Sequence, residues 1–144
     1  MTASQISAKP STICKMNSNK KSFITRQAEA FRQAFKVKND KAAPTRTMQR
    51  TLIVEECKEF LDAENQIIPG FGRNEEDALK ELADLVYVCY QYAVNMGWDL
   101  DTALDRVHRS NMSKLGSDGL PIFREDGKVL KGPNYKEPTL SDLV

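Results

Sequence analysis

The sequence predicts an all-α protein, a four- to five-helix bundle closed by a short C-terminal β-hairpin, and three observations carry that prediction. Apolar residues recur at helical spacing through successive segments between Phe23 and Ser110. Breaks at Pro44, at Pro69-Gly70-Phe71-Gly72 and at Gly97 separate those segments. Beyond Leu115 short apolar runs flank Asp126-Gly127, a dipeptide suited to a tight hairpin turn.

Residues 1–21, rich in Ser, Lys, Thr and Asn, read as a flexible basic leader without helical or strand period. Residues 22–144 read as one helical domain, long enough for a single modest core. Ser22 is a candidate N-cap for a first helix over Phe23–Val37, with Phe23, Ile24, Ala28, Phe31, Ala34 and Phe35 as its inward positions. A polar break at Asn39–Pro44 precedes a second helix, capped by Thr45 or Thr47 and running to about Gln66. The loop Ile67–Asn74 leads into a third helix, for which Asn74 is the expected cap and Glu75, Glu76 and Asp77 favour the positive end of the dipole. That helix is apolar almost all round, through Leu79, Leu82, Leu85, Val86, Val88, Tyr90, Ala93 and Met96, and ends near Gly97. Asp99 caps a fourth helix through about Ser110, whose face of Leu100, Ala103, Leu104 and Val107 is expected to lie on the third. Within the tail 116–144, Leu120–Arg124 and Val129–Lys131 form the expected hairpin around a type I′ turn at Glu125–Lys128. An isolated hairpin is marginal in water, so this one has to dock on the bundle.

The formal net charge of +1 conceals an asymmetry. Residues 1–50 hold eleven Lys/Arg against two acids, and residues 51–144 hold ten against eighteen. The basic front has no aromatic residue before Phe23 to stack on a base, so a solvated leader is favoured over a nucleic-acid-binding arm. Cys14, Cys57 and Cys89 lack metal-ligand spacing, and their odd number suits reduced thiols in a cytoplasm. With His108 as the one histidine, a histidine-based zinc site or a Ser-His triad cannot be assembled within one chain. No apolar run approaches the roughly twenty residues that span a bilayer, so a soluble, cytoplasmic protein is expected.

The chemistry-bearing residues are Glu55, Glu56 and Glu59 on the second helix and Glu81 and Asp84 on the third. At roughly 100° per residue, Glu56 and Glu59 share one face, as do Glu81 and Asp84. Glu56 falls inside the apolar arc of its helix, Glu59 at its edge and Glu55 further toward solvent. Carboxylates in such sectors are costly unless compensated. Within Leu52–Tyr92 the helical cations are Lys58 and Lys80, two against five acids, so a divalent cation is the better neutraliser. Oxygen donors without Cys or His point to Mg²⁺, with Mn²⁺ as the alternative.

Glu55-Glu56-x-x-Glu59, a spacer of about twenty residues and Glu81-Leu-Ala-Asp84 together resemble the signature of the MazG-type all-α nucleoside triphosphate pyrophosphohydrolases. The fold of that group also includes phosphoribosyl-ATP pyrophosphohydrolases and dimeric dUTPases. Val107-His-Arg-Ser-Asn-Met-Ser-Lys114 is similar to the Asn/Lys segment of MazG-like proteins, and Arg124–Tyr135 resembles the tail of a phage and bacterial single-unit branch. The resemblance covers roughly Phe23 to Tyr135.

The resemblance implies Mg²⁺-dependent hydrolysis between the α and β phosphates of a (d)NTP, giving a (d)NMP and pyrophosphate. Glu56, Glu59, Glu81 and Asp84 become the metal ligands, and bound ions reverse the sign of a site that would otherwise repel a polyanion. Glu55 and Glu59 become the catalytic carboxylates, with Glu55 either on an outer ion or acting on the water as general base. Asn111 and Lys114 are expected at the phosphates or sugar, and Arg124 and Lys128 as further phosphate-binding cations; for Asn111 and Lys114, simply ending the fourth helix near its negative dipole is the alternative. A third helix without a polar face, and the habit of relatives, imply a homodimer or homotetramer. Phosphoribosyl-ATP as substrate, a nucleotide-binding regulator with little turnover, and a helical interaction protein with a nucleic-acid-binding leader are the competing readings.

Overall fold

The computed structural model describes residues 21–144 apart from Phe71, so the expected leader falls almost wholly outside the described residues. Four helices follow in order: α1 (Phe23–Ala34), α2 (Ala43–Glu64), α3 (Gly72–Met96) and α4 (Leu100–Met112). A single 3₁₀ turn at Ser141–Leu143 closes the chain.

Several helix ends have an identifiable cause. Ser22 caps α1, its hydroxyl accepting the Thr25 backbone N–H at 3.1 Å. The helix stops at Ala34 rather than Val37 because Lys36 turns left-handed at φ 54°. The Val37 N–H then reaches back to the Arg32 carbonyl at 2.8 Å, the closing bond of a Schellman-type end. Neither Thr45 nor Thr47 caps α2. No side chain caps it; Asp40 fixes the approach from the preceding loop, accepting the Ala42 N–H at 2.8 Å and the Thr45 hydroxyl at 2.7 Å, while Pro44 occupies the first turn where no N–H is needed. The third helix starts two residues before its expected cap, and the Asn74 amide instead donates back to the Gln66 carbonyl. Asp99 caps α4 as expected, accepting the Thr102 N–H at 3.0 Å, and the helix runs on to Met112.

The short connection between α2 and α3 makes them an antiparallel pair, and this pair is the main contact of the fold, with α1 lying on α3. The core is small: Ala28, Ala78, Tyr90, Ala93 and Met96 are the buried hydrophobic residues among those described. A polar hub fastens α1, α3 and α4 together, as Asp101 accepts the Ser22 N–H (2.9 Å), the Thr25 hydroxyl (2.7 Å) and the Tyr90 hydroxyl (3.2 Å). Burial pushes the Asp101 carboxyl up, and these donors outweigh it, holding the group below its ordinary range.

Two expectations are corrected here. The main partner of α4 is the C-terminal segment, not α3. Arg106 bonds the Thr139 carbonyl at 2.7 Å and pairs with Asp142, and Ser110 donates to the Lys136 carbonyl at 2.7 Å, leaving Leu104 and Val107 exposed. Nor do the residues around Asp126-Gly127 make a β-hairpin. They form one isolated antiparallel bridge, Phe123 to Val129, among the described residues. Gly127 alone has positive φ there, so the turn is not type I′, which needs two such residues; the Gly127 N–H closes it on the Arg124 carbonyl at 2.8 Å. The flanking Ile122, Phe123, Val129 and Leu130 remain exposed, and without a buried face the pairing does not spread into strands. Among the described residues no helix is long and apolar enough to cross a membrane.

Candidate metal centre

The α2/α3 pair brings carboxylates from both helices to one place. One oxygen each from Glu56, Glu81 and Asp84 lies within 4.8 Å of the others, and all three side chains are half-buried. Glu81 and Asp84 are a turn apart on α3, so a single facing residue on α2 meets both. That residue is Glu56. Glu59, one turn nearer the connecting loop, is outside the trio. It lines an adjoining cleft of about 330 Å³ together with Asp62, Ala63, Gln66, Asn74, Asp77 and Glu81. Glu55 is exposed and borders neither the trio nor the cleft.

Asp62 and Asp77 were not singled out from the sequence as site residues. The signal was present for Asp77, which stands four residues before Glu81 and so on the same face.

Crowded carboxylates resist ionisation. Partial burial raises the Glu56 pKa, with the charges of Glu59, Asp84 and Glu81 adding to it and Lys80 opposing them. Lys80 is the trio's ion-pair partner among the described residues, at 2.9 Å from Asp84 and 3.1 Å from Glu81, and those bonds raise its own pKa strongly. One exposed ammonium against three carboxylates leaves the site acidic. Its donors are all hard oxygens on two rigid helices, which fits a small divalent cation such as Mg²⁺ or Mn²⁺ and offers nothing to a thiophilic metal.

The downstream residues are not joined to these acids by any hydrogen bond or ion pair among the described residues. At the end of α4 the Lys114 ammonium donates to Asn111 Oδ1 at 2.7 Å. Arg124 is engaged with Asp126 at 3.0 Å, and Lys128 is exposed beside the same turn. The aromatics of α3 are used internally: Tyr87 meets Phe31 edge-on at 5.9 Å, and Tyr92 lies 5.7 Å from Trp98.

Comparison with known proteins gives two findings. A family model described as phosphoribosyl-ATP pyrophosphohydrolase matches residues 21–111, more than half of the chain and all four helices but the last residue of α4. An uncharacterized protein of Acanthamoeba polyphaga mimivirus is 31% identical over 104 residues, a match that takes in 50% of this chain and 41% of the relative.

Proposed function

Since the chain belongs to the phosphoribosyl-ATP pyrophosphohydrolase family, within the MazG-like all-α superfamily, we propose that it is a Mg²⁺-dependent nucleoside triphosphate pyrophosphohydrolase, cleaving the α–β anhydride of a (d)NTP to a (d)NMP and pyrophosphate. The observation that carries the reading is the convergence of Glu56, Glu81 and Asp84 beside a cleft lined by Glu59. When bound there, a divalent ion supplies the positive charge that a polyphosphate needs and polarises its phosphoryl oxygens. Glu56, Glu81 and Asp84 hold it. Glu59 takes the proton of the attacking water in this reading, supported by its influence on the ionisation of Glu56 and its position in the lining of the cleft, and Glu55 keeps an outer position. Asn111 and Lys114, with Arg124 and Lys128, are assigned to the phosphates and to the departing pyrophosphate.

Phosphoribosyl-ATP is the second reading of the substrate, favoured by the family match itself. The bond broken is of the same kind. The reading carries a cytoplasmic setting, in which Cys57 and Cys89 remain the free thiols they are here. It also carries a homodimer or homotetramer, supported by Leu79, Leu82 and Val86 on α3 and Val54 and Leu61 on α2, all exposed on the sides of their helices away from Asp84 and Glu56.

Pyrophosphate release from a panel of ribo- and deoxyribonucleoside triphosphates and phosphoribosyl-ATP, with and without Mg²⁺, tests the proposal. We expect Mg²⁺-dependent turnover that falls by about 10²-fold or more in Glu81→Gln and Asp84→Asn. Release that survives either substitution would remove the trio from the mechanism, and tight Mg²⁺-dependent nucleotide binding without release would indicate a regulator.

A further inference from the structure

The acid-bearing faces of α2 and α3 continue past the trio. Seven residues along an α-helix return to nearly the same face after a rise of about 10 Å. Seven before Glu56 stands Gln49, and seven after Asp84 stands Gln91. Because the helices are antiparallel, both steps lead the same way, away from the 65–71 connection. The shared face therefore passes from carboxylates to carboxamides.

These amides are buried, with Gln49 and Gln91 each only 6% exposed. Burying a primary amide is unfavourable unless its hydrogen bonds are made. Those of Gln91 are long: its nitrogen donates to the Ala28 carbonyl at 3.4 Å, and its oxygen accepts from Arg32 Nη1 at 3.5 Å. Arg32 is itself buried and held by Asn39 Oδ1 at 2.7 Å, the Lys38 carbonyl at 2.9 Å and Asn95 Oδ1 at 2.8 Å. Both polar atoms of Gln91 are thus engaged on the α1 side. Gln49 is bonded less well still, since among the described residues its amide meets only the Met48 sulfur, at 3.8 Å. Every fully enclosed side-chain nitrogen and oxygen among the described residues has a partner, so the unused carbonyl of Gln49 is one that solvent still touches. A leucine would fill the position without polar cost. A carboxamide with an unspent carbonyl thus stands about 10 Å of helix rise from the acid trio, a separation comparable to the reach across a nucleotide's sugar to its base, and is free to meet a ligand.

We propose that Gln49, with Gln91 at the matching level of α3, reads the base of the nucleotide whose phosphates lie at the acid trio. The carboxamide's adjacent acceptor and donor meet an adjacent donor and acceptor on the edge of the base. The inference rests on the pyrophosphohydrolase reading for the placement of the phosphates. Gln49→Met and Gln91→Met keep side-chain length and remove the hydrogen bonds; Gln49→Asn, which retracts the amide but preserves its polarity, is the second variant should Gln49→Met fold poorly. For each, kcat/KM is measured over triphosphates of the five bases with Mg²⁺, beside equilibrium binding of the matching nucleoside monophosphates. We expect about a tenfold or greater loss on the preferred base and little on the others, with Mg²⁺ affinity and thermal midpoint retained. An equal loss on every base, or a shifted midpoint with unchanged base ranking, overturns the proposal. Wild-type protein that releases pyrophosphate equally from all bases would sink base reading and leave the hydrolase reading standing. Base-selective binding without release would do the reverse, and absence of both would end the two together.

Discussion

The surroundings of Glu56 disfavour its ionised form. Its raised pKa means that the charged form is less favourable in the folded protein than in the unfolded chain, so ionised Glu56 lowers stability, and that cost disappears as pH falls below its ordinary 4.5. Without divalent ions, Glu56→Gln should therefore raise the unfolding midpoint at pH 7 and leave it unchanged near pH 3. Mg²⁺ should reverse the ranking. An ion at one hundred times its dissociation constant stabilises the wild type by about 2.7 kcal/mol, and most of that gain should be missing in the variant. Thermal melts of both proteins with Mg²⁺ and with chelator check the two halves; a variant that still gains from Mg²⁺ would show that the ion binds elsewhere. The acids that meet were legible because a spacing of three residues aligns Glu81 with Asp84 before any tertiary contact is known. The position of Glu59 was not. It shares a helical face with Glu56, but only the register of α2 against α3 decides which of the two looks across at α3 and which opens into the cleft.

Helix ends show what local sequence settles and what it leaves to tertiary structure. Ser22 and Asp99 are caps that act on their own next turn, and both were readable. The part of Asp40 was not, because it shapes the approach to α2 from the preceding loop, a loop fixed in turn by the Asp40 N–H donating to Asn95 Oδ1 at 3.1 Å. The C-terminal run has good hairpin chemistry yet forms a single bridge, since strand pairing depends on a buried face that these residues lack. The end of α1 carries its own prediction. Lys36 occupies the left-handed position that closes the helix, where a side chain costs about 1 kcal/mol that glycine avoids. Glycine also gains freedom in the unfolded chain, which offsets part of the benefit. Lys36→Gly should thus stabilise by about 0.5–1 kcal/mol in urea titrations. A loss of similar size would mean that the lysine side chain, not the backbone, holds this corner.

Across the whole chain, the described hydrophobic core is too slight for the apolar content of the helices. Leu79 is 66% exposed and Val54 63%, although each belongs to a helix that forms the main contact of the fold. Leu79, Leu82 and Val86 form a continuous stripe on the side of α3 opposite Asp84, so covering them does not obstruct the acid trio. The all-round apolar character of α3 was legible in the sequence. Which side would stay uncovered was not, because that depends on α4 turning to the C-terminal segment instead of closing over the bundle. A second copy is the covering surface that the proposed function carries, and a stable interface of about 1,600 Å² would need much of both stripes. The test is sedimentation velocity of the wild type beside Leu79→Glu and Leu82→Glu, charges that an apolar interface tolerates poorly. We expect a dimer or tetramer in the wild type and a shift to monomer in the variants. Because the monomer buries so little on its own, dissociation should also lower the thermal midpoint and make it depend on protein concentration. A wild type that sediments as a monomer with a concentration-independent midpoint would show that the stripes stay in water and that α2 and α3 are stable as a pair.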